Sequence, residues 1–225
     1  MAIVPARGGS KRLPRKNIIE FCGKPIMAYT IEAALETGLF SEVLLSTEDE
    51  EIAAVGRVCG ARVVRRPAAL ASDVAPVRDV CLHLLEQEAQ AGRQYSVFTC
   101  LYATSPLRAP ADIAGVVSLV EPGVCDFAMA VTQYPYPPHQ ALRVLDGGAL
   151  APMWPELVER RSQDLGTLVV DNGSTYCASV AAFQEHKSFY GPGLRGYLMP
   201  FERSIDIDRP EDLELALRFA SGSAR

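Results

Sequence analysis

Short apolar runs alternate with longer amphipathic segments along most of the chain. The short runs are the length of buried strands, and we predict strands at residues 1–5, 43–47, 61–64, 97–102 and 127–131. The longer segments place apolar residues at helical spacing, and we predict helices at residues 26–38, 48–59, 79–91 and 112–120. This alternation predicts an α/β fold with a mostly parallel open twisted sheet and helices on both faces.

The alternation stops at residues 134–166, which are rich in proline, glycine and charged residues. Because proline is a poor residue for a central strand, we predict that this segment, called the excursion below, leaves the sheet. The pattern by itself leaves two possibilities open, a mobile surface loop or a lobe with a function. Beyond it we predict four strands and a last amphipathic helix, at residues 167–170, 174–178, 197–199, 204–207 and 210–220.

Composition limits the class of protein. The chain has 225 residues, 48% of them hydrophobic, which fits a single α/β domain with a sizeable core. Its net charge of −5 argues against nucleic acid as the main partner, and we find no apolar run long enough for a membrane span. The chain opens on a core strand, and its six cysteines lack zinc-ligand spacing, so we expect a cytoplasmic protein without a secretory signal.

The loop after the first strand, residues 6–17, concentrates positive charge. It holds five cations, two adjacent glycines and a serine, but neither the Walker A pattern nor the dinucleotide fingerprint. Glycines allow backbone N–H groups to face an anion, and Arg and Lys side chains supply charge. Since ligands of open α/β sheets bind beyond the carboxyl ends of strands, we interpret the loop as a triphosphate site rather than a solvated surface loop.

A second candidate element is an acidic pair near the end of the chain. On a strand at residues 204–207, Asp206 would share one face with Asp208, and the intervening Ile207 would point to the core. Two neighbouring carboxylates repel each other unless a cation lies between them, and Mg²⁺ suits carboxylate and phosphate oxygens. Alternatively, Asp208 is the N-cap of the last helix, with Glu211 completing a capping box. Capping does not explain Asp206.

Several motifs in this order resemble the cytidylyltransferases that activate nine-carbon acidic sugars, the CMP-nonulosonate synthetases. The motifs span nearly the whole chain: residues 3–11 (IVPARGGSK), 14–17 (PRKN), 23–25 (GKP), 46–47 (ST), 66–67 (RP), 104–108 (TSPLR) and 204–208 (SIDID). The resemblance implies a Rossmann-like nucleotidyltransferase fold, a homodimer joined through the excursion, and transfer of CMP from CTP to a nonulosonic acid.

The resemblance also assigns residues to roles. It implies that Asp206 and Asp208 bind Mg²⁺, and that these two residues, Arg7 and Lys11 are catalytic. It implies nucleotide binding by Ala6, Arg7, Gly8, Gly9, Ser10, Lys11, Asn17 and Arg66. For two of these residues the alternatives are ordinary: Asn17 also suits a turn, and Arg66 also suits a solvated surface.

The candidate sugar-binding residues lie in two places, at the end of the strand at residues 97–102 and in the excursion. We predict that they are Tyr102, Thr104, Ser105, Gln140, Arg161 and Gln163. Thr104 and Ser105 could instead cap the next helix, and Arg161 could be a surface cation. Tyr102 and the run at residues 161–164 resemble the pseudaminic-acid enzymes, whereas Asn172 and Gly173 resemble the sialic-acid enzymes, so the sequence leaves the sugar open. A cytidylyltransferase for the eight-carbon acid KDO, or a catalytically silent nucleotide-binding module, remains an alternative.

Overall fold

The chain folds around one large sheet. The computed structural model describes residues 1–72 and 74–222. Its strands, in chain order, are β1 (Ala2–Pro5), β2 (Glu20–Phe21), β3 (Lys24–Pro25), β4 (Val43–Thr47), β5 (Arg62–Arg65), β6 (Val97–Leu101), β7 (Phe127–Gln133), β8 (Leu142–Val144), β9 (Leu150–Pro152), β10 (Val169–Ser179) and β11 (Arg195–Leu198). Its α-helices are α1 (Ile26–Glu36), α2 (Glu50–Val58), α3 (Val77–Gln90), α4 (Pro110–Val117), α5 (Val180–His186) and α6 (Pro210–Gly222).

Seven strands form the main sheet in the order β11-β7-β10-β6-β1-β4-β5. All neighbouring pairs are parallel except those of β10, which runs antiparallel to both β6 and β7. Strand residues alternate between two cores: Ile3 packs with α3 and α5 on one face, whereas Val4 packs with α1, α2 and α4 on the other. The predicted α/β class, with a mostly parallel sheet and helices on both faces, is therefore confirmed.

Two predictions about the strands near the end of the chain are wrong. The predicted strands at 167–170 and 174–178 are one strand, β10, whose register shifts between Asp171 and Tyr176. Gly173 allows this irregularity because it adopts a φ of 69°, which side chains with a Cβ disfavour. Residues 204–207 pair with no strand of the described chain, although Ile205 and Ile207 are buried as the alternation predicts.

Residues 134–168 lie outside the main sheet. They leave it at the end of β7 and return at the start of β10, and they contain the small antiparallel hairpin of β8 and β9. Over the described ranges, no helix combines the length and the apolar character that crossing a membrane would require.

An ion pair fixes the segment that carries the acidic pair. Arg203 donates two hydrogen bonds of 2.8 Å to the carboxylate of Asp112, which lies fully buried at the start of α4. The same carboxylate accepts a hydrogen bond of 2.9 Å from the backbone N–H of Ala109. Since a buried carboxylate is costly without a cation, this contact ties the segment before α6 to the start of α4.

We expect Arg203→Met to lower the free energy of unfolding by about 2–3 kcal/mol, because it leaves the Asp112 carboxylate buried without its cation. Urea denaturation followed by circular dichroism measures the change. The matched control is Arg57→Met, which breaks the exposed pair with Glu50 and should cost less than about 1 kcal/mol. Equal losses in the two variants would contradict a structural role of the buried pair.

Candidate active site

The loop after β1 and the segment before α6 meet beyond the carboxyl ends of the parallel strands. A cavity of about 210 Å³ lies there. Its polar lining comes from four parts of the chain and includes Arg7, Lys16, Asn17, Arg66, Tyr102 and Thr104. Residues distant in sequence therefore share one cleft, at the edge of the sheet where ligands of open α/β folds bind.

Backbone contacts hold the basic loop against the end of β4. The N–H of Gly8 donates a hydrogen bond of 2.7 Å to the Oε1 atom of Glu48, and the Asn17 side chain donates one of 2.7 Å to the carbonyl of Arg7. A Cβ at Gly8 would lie 2.5 Å from the Oδ2 atom of Asp49, so this close approach requires glycine. Asn17 thus braces the turn that presents Arg7; its role as a reader of the base stays a prediction.

The other predicted loop residues differ in exposure. Ala6 is buried and donates its N–H to the carbonyl of Ser46 at 3.0 Å. Gly9 and Lys11 are exposed, and Ser10 is half-buried. Only Arg7 and Asn17, of the loop residues predicted to bind nucleotide, line the 210 Å³ cavity.

Arg66 is a buried cation, not a solvated one. Its guanidinium donates to the carbonyl of Ser46 at 2.7 Å and to the Ser46 hydroxyl at 3.3 Å. Burial lowers its pKa, and the charge of Glu48 opposes that shift. These two hydrogen bonds hold the Nε and Nη2 atoms of Arg66 against Ser46, and they fix the side chain in the wall of the cleft.

Asp208 joins the basic loop to the end of the chain. Its carboxylate accepts a hydrogen bond of 2.5 Å from Lys16 and forms an ion pair of 2.6 Å with Arg12. Burial pushes the pKa of Asp208 upward, but these two cations outweigh burial and hold that pKa below its usual range. The predicted capping box is wrong: Asp212, not Glu211, accepts from the backbone N–H groups of Asp208 and Arg209, at 3.0 and 2.8 Å.

Asp206 is more buried than Asp208 and lies beside the cleft, against Thr104, rather than in the lining of the 210 Å³ cavity. Its carboxylate accepts a hydrogen bond from the hydroxyl of Thr104, which follows β6. Burial raises the pKa of Asp206 to about 6; the bond from Thr104 opposes the shift, and the charge of Asp208 adds to it. The charge of Lys16 also lowers the pKa of Asp206 but does not outweigh burial. A bound cation would stabilise such a carboxylate in its charged form.

The donor set therefore fits a magnesium ion that shares its coordination with a nucleotide. Two carboxylates are fewer than a complete protein cage, and the described residues contain no cluster of three or more His, Cys, Asp or Glu that would form one. Mg²⁺ commonly takes one or two carboxylates and fills its other positions with phosphate oxygens and water. The two carboxylates beside the cleft, Asp206 against Thr104 and Asp208 against Lys16, supply the oxygen donors that such an ion takes from a protein.

The irregular part of β10 supports the acidic segment. Asn172 donates a hydrogen bond of 3.1 Å to the hydroxyl of Ser204, and it accepts one of 2.8 Å from Ser174. Next to it, a Cβ placed on Gly173 would lie 3.5 Å from the Oδ2 atom of Asp206. The Asn-Gly pair noted in the sequence thus lies beside Asp206, and Asn172 holds the acidic segment at Ser204.

Arg108 connects this part of β10 to the end of β6. It is buried, and it donates to the carbonyl of Ser174 at 2.5 Å and to the hydroxyl of Thr30 at 2.9 Å. Burial lowers its pKa to about 10. Its contacts with β10 and α1 make Arg108 a structural cation, although it lies in one of the motifs that carry the resemblance.

The predicted sugar residues fall into two groups. Tyr102 and Thr104 line the cleft, and Ser105 is buried beside them, its hydroxyl without a hydrogen-bond partner among the described residues. In the excursion, Gln140 and Arg161 are exposed, whereas Gln163 lines a separate cavity of about 310 Å³. The structure thus brings the first group to the cleft, and no described contact joins the second group to it.

Sequence reasoning missed Lys16 and Arg12 as partners of Asp208. Both belong to the basic loop, so their charge was evident, but only the tertiary structure selects which cations face the acids. Arg15, from the same loop, instead contacts Asp49 and Glu51. The sequence gives no signal that distinguishes these neighbouring cations.

Comparison with known proteins agrees with this geometry. Residues 1–131 match the profile of the cytidylyltransferase family. A pseudaminic acid cytidylyltransferase from Campylobacter jejuni is 35% identical over 217 residues, which cover 96% of this chain and 94% of the relative. An N-acylneuraminate cytidylyltransferase from Escherichia coli is 33% identical over 220 residues, which cover 96% of this chain and 51% of the relative.

Two further proteins are similar. A CMP-N,N'-diacetyllegionaminic acid synthase from Legionella pneumophila is 34% identical over 223 residues, which cover 96% of this chain and 93% of the relative. A solved CMP-2-keto-3-deoxy-manno-octonic acid synthetase in complex with CTP has a TM-score of 0.74 at 16% identity, and the match covers 99% of this chain and 98% of that structure. At this identity the structural match shows the fold alone. The matched profile and the close relatives together show that this chain belongs to the cytidylyltransferase family.

Proposed function

We propose that this protein transfers CMP from CTP to the anomeric hydroxyl of a nine-carbon 2-keto sugar acid and releases pyrophosphate. The observation that carries the proposal is the meeting of the basic loop with the acidic segment, at the 2.5 Å bond between Lys16 and Asp208. A nucleotide and its metal need both charges in one cleft. The relatives from C. jejuni, E. coli and L. pneumophila support a nonulosonic acid as the acceptor.

In this proposal the basic residues bind and orient the triphosphate. Arg7 and Arg66 face the cleft, and Lys11 lies in the exposed part of the same loop. Their charges neutralise the phosphates, so that the sugar hydroxyl can approach the α-phosphate in line with the leaving pyrophosphate. Bracing of Arg7 by Asn17 and of Arg66 by Ser46 keeps this arrangement in place before the substrate binds.

Asp206 and Asp208 would hold magnesium. When bound, the ion supplies positive charge to the phosphates and acidifies a nearby hydroxyl. The hydrogen bond from Thr104 orients the Asp206 carboxylate, and Lys16 and Arg12 orient that of Asp208. Tyr102, Thr104 and Ser105 border the position where the sugar would meet the nucleotide.

We also infer a cytoplasmic homodimer. All six cysteines are free thiols, which supports a reducing compartment. The excursion exposes apolar side chains that a second copy would cover; they include Val144 at 73%, Leu150 at 59% and Tyr136 at 81% exposure.

We expect Asp206→Asn to lower the rate of pyrophosphate release from CTP by roughly 100-fold or more, because the neutral amide cannot hold the metal. The assay combines CTP, Mg²⁺ and a panel of pseudaminic, sialic and legionaminic acids, and circular dichroism checks the fold. Glu185→Gln, which changes an exposed carboxylate on α5 outside the excursion, is the control and should keep wild-type activity. A folded D206N variant with full activity would contradict the metal role, and a wild-type protein that binds CTP but releases no pyrophosphate would favour a silent module.

The raised pKa of Asp206 predicts a pH-dependent stability of the metal-free protein. The folded state binds the Asp206 proton more tightly than the unfolded chain does, so its ionisation destabilises the fold as pH rises from about 4 to about 6. Asp206→Asn removes this penalty. The stability of D206N relative to wild type should therefore increase over that range by up to about 3 kcal/mol, then stay level.

Urea denaturation in EDTA at pH 4, 5, 6 and 7 measures this difference. In Glu185→Gln, which changes an exposed carboxylate on α5, the difference from wild type should stay constant across the series. A D206N difference that is equally constant would show that Asp206 ionises normally in the folded protein.

We expect Val144→Asp together with Leu150→Asp to convert the dimer to a monomer, because the new charges would have to be buried in the interface. Sedimentation velocity measures the mass. Val124→Asp changes a side chain that is also exposed, at 68%, but lies outside the excursion, and it should leave the dimer intact. Dissociation by V124D but not by the excursion variants would assign the interface to another surface.

A further inference from the structure

The carboxylate of Glu48 lies against the basic loop, although Glu48 does not line the 210 Å³ cavity. Glu48 directly follows β4, and its Oε1 atom accepts a hydrogen bond of 2.7 Å from the backbone N–H of Gly8. Its Oε2 atom is buried and has no hydrogen-bond partner among the described residues. The two oxygens therefore differ: one holds the loop, and the other makes no hydrogen bond that a substitution could remove.

Arg7 lies between two points at which the loop is tied to the end of β4. On one side, the N–H of Ala6 donates to the carbonyl of Ser46 at 3.0 Å, and on the other side, the N–H of Gly8 donates to Glu48. Because both neighbours of Arg7 are held, the backbone at Arg7 keeps little conformational freedom. Arg7 lines the 210 Å³ cavity, so the bond between Gly8 and Glu48 fixes the backbone from which a cleft arginine extends.

The charge of Glu48 has the wrong sign for a neighbour of a triphosphate. It also acts on Arg66, where it opposes the decrease in pKa that burial causes, so the carboxylate is close to a second residue of the cleft. A carboxylate near phosphates repels them, and its removal by itself would tighten CTP binding. The hydrogen bond to Gly8 acts in the opposite direction, because it orders the loop before CTP binds.

We propose that Glu48 is a positioning residue for CTP: through the backbone N–H of Gly8 it holds Arg7 at the cleft, and this ordering outweighs the repulsion between Glu48 and the phosphates. This inference rests on the function proposed above, because it takes the cleft as the CTP site. It requires an acceptor oxygen at residue 48 but no negative charge.

The test measures the Kd for CTP by isothermal titration calorimetry in Mg²⁺ without sugar, and then the KM for each substrate during turnover. We expect Glu48→Ala to raise the Kd for CTP about 10-fold, because the loop loses its attachment at Gly8. kcat/KM for CTP should fall by a similar factor, whereas the KM for the sugar should stay within about twofold of wild type.

Glu48→Gln separates the hydrogen bond from the charge. Its amide oxygen can accept the N–H of Gly8, and its amide nitrogen would replace the Oε2 atom, which has no hydrogen bond to lose among the described residues. We expect E48Q to bind CTP as tightly as wild type or up to about threefold more tightly, because the repelling charge is gone.

Glu51→Ala is the matched control. Glu51 is an exposed carboxylate that contacts Arg15 of the same loop, and its removal should leave the Kd for CTP within about twofold of wild type. An E48A variant that binds CTP as tightly as wild type, or more tightly, would overturn the positioning role. An E48Q variant as weak as E48A would show that the charge, and not the bond to Gly8, is what CTP binding needs, and would also overturn it.

Amide hydrogen exchange of the wild-type protein gives a readout that does not depend on the folding of E48A. Without nucleotide, the N–H of Gly8 should exchange at least about 10-fold more slowly than that of an unstructured glycine. Exchange at the unstructured rate would overturn the inference. A wild-type protein that binds no CTP would overturn the proposed function as well, whereas one that binds CTP but releases no pyrophosphate with any sugar would overturn the proposed function alone.

Discussion

Balance of charge between the two ends of the chain is the constraint on which the active cleft depends. The loop after β1 contributes cations, the segment before α6 contributes carboxylates, and the bond between Lys16 and Asp208 joins them at 2.5 Å. Asp208 obtains its countercharge from the loop and stays ionised, whereas Asp206, more deeply buried, has a pKa of about 6. Of the two acids, Asp208 is therefore already paired with cations of the loop, whereas the charged form of Asp206 would be stabilised by a further cation.

Buried polar side chains hold this arrangement in place. Arg108 links the end of β6 to the irregular part of β10, Asn172 links β10 to Ser204, and Arg203 links the acidic segment to Asp112 in α4. If one partner of such a contact is removed, the other is left buried and unpaired, which lowers the stability of the fold. The positions of the site residues therefore depend on buried contacts outside the cleft. Such fixed positions suit catalysis by positioning and charge.

The basic loop also has an anionic partner outside the acidic segment. Glu48 accepts the N–H of Gly8 at 2.7 Å, and its charge faces the buried guanidinium of Arg66. Backbone N–H groups and arginines are the donors that a phosphate would use. The loop therefore keeps its conformation through contacts made by the protein itself.

The sequence by itself determined the α/β class, six of the seven strands in the main sheet, the main helices and the two charged segments, because short stretches of sequence carry hydrophobic periodicity and local charge. Only the tertiary structure decided that β10 is one interrupted strand and that residues 204–207 are unpaired, since pairing depends on distant neighbours. Only the tertiary structure shows, likewise, that Lys16 rather than Arg15 contacts Asp208 and that His139 is buried in the excursion. Such choices depend on which surfaces meet, and local spacing carries no information about that.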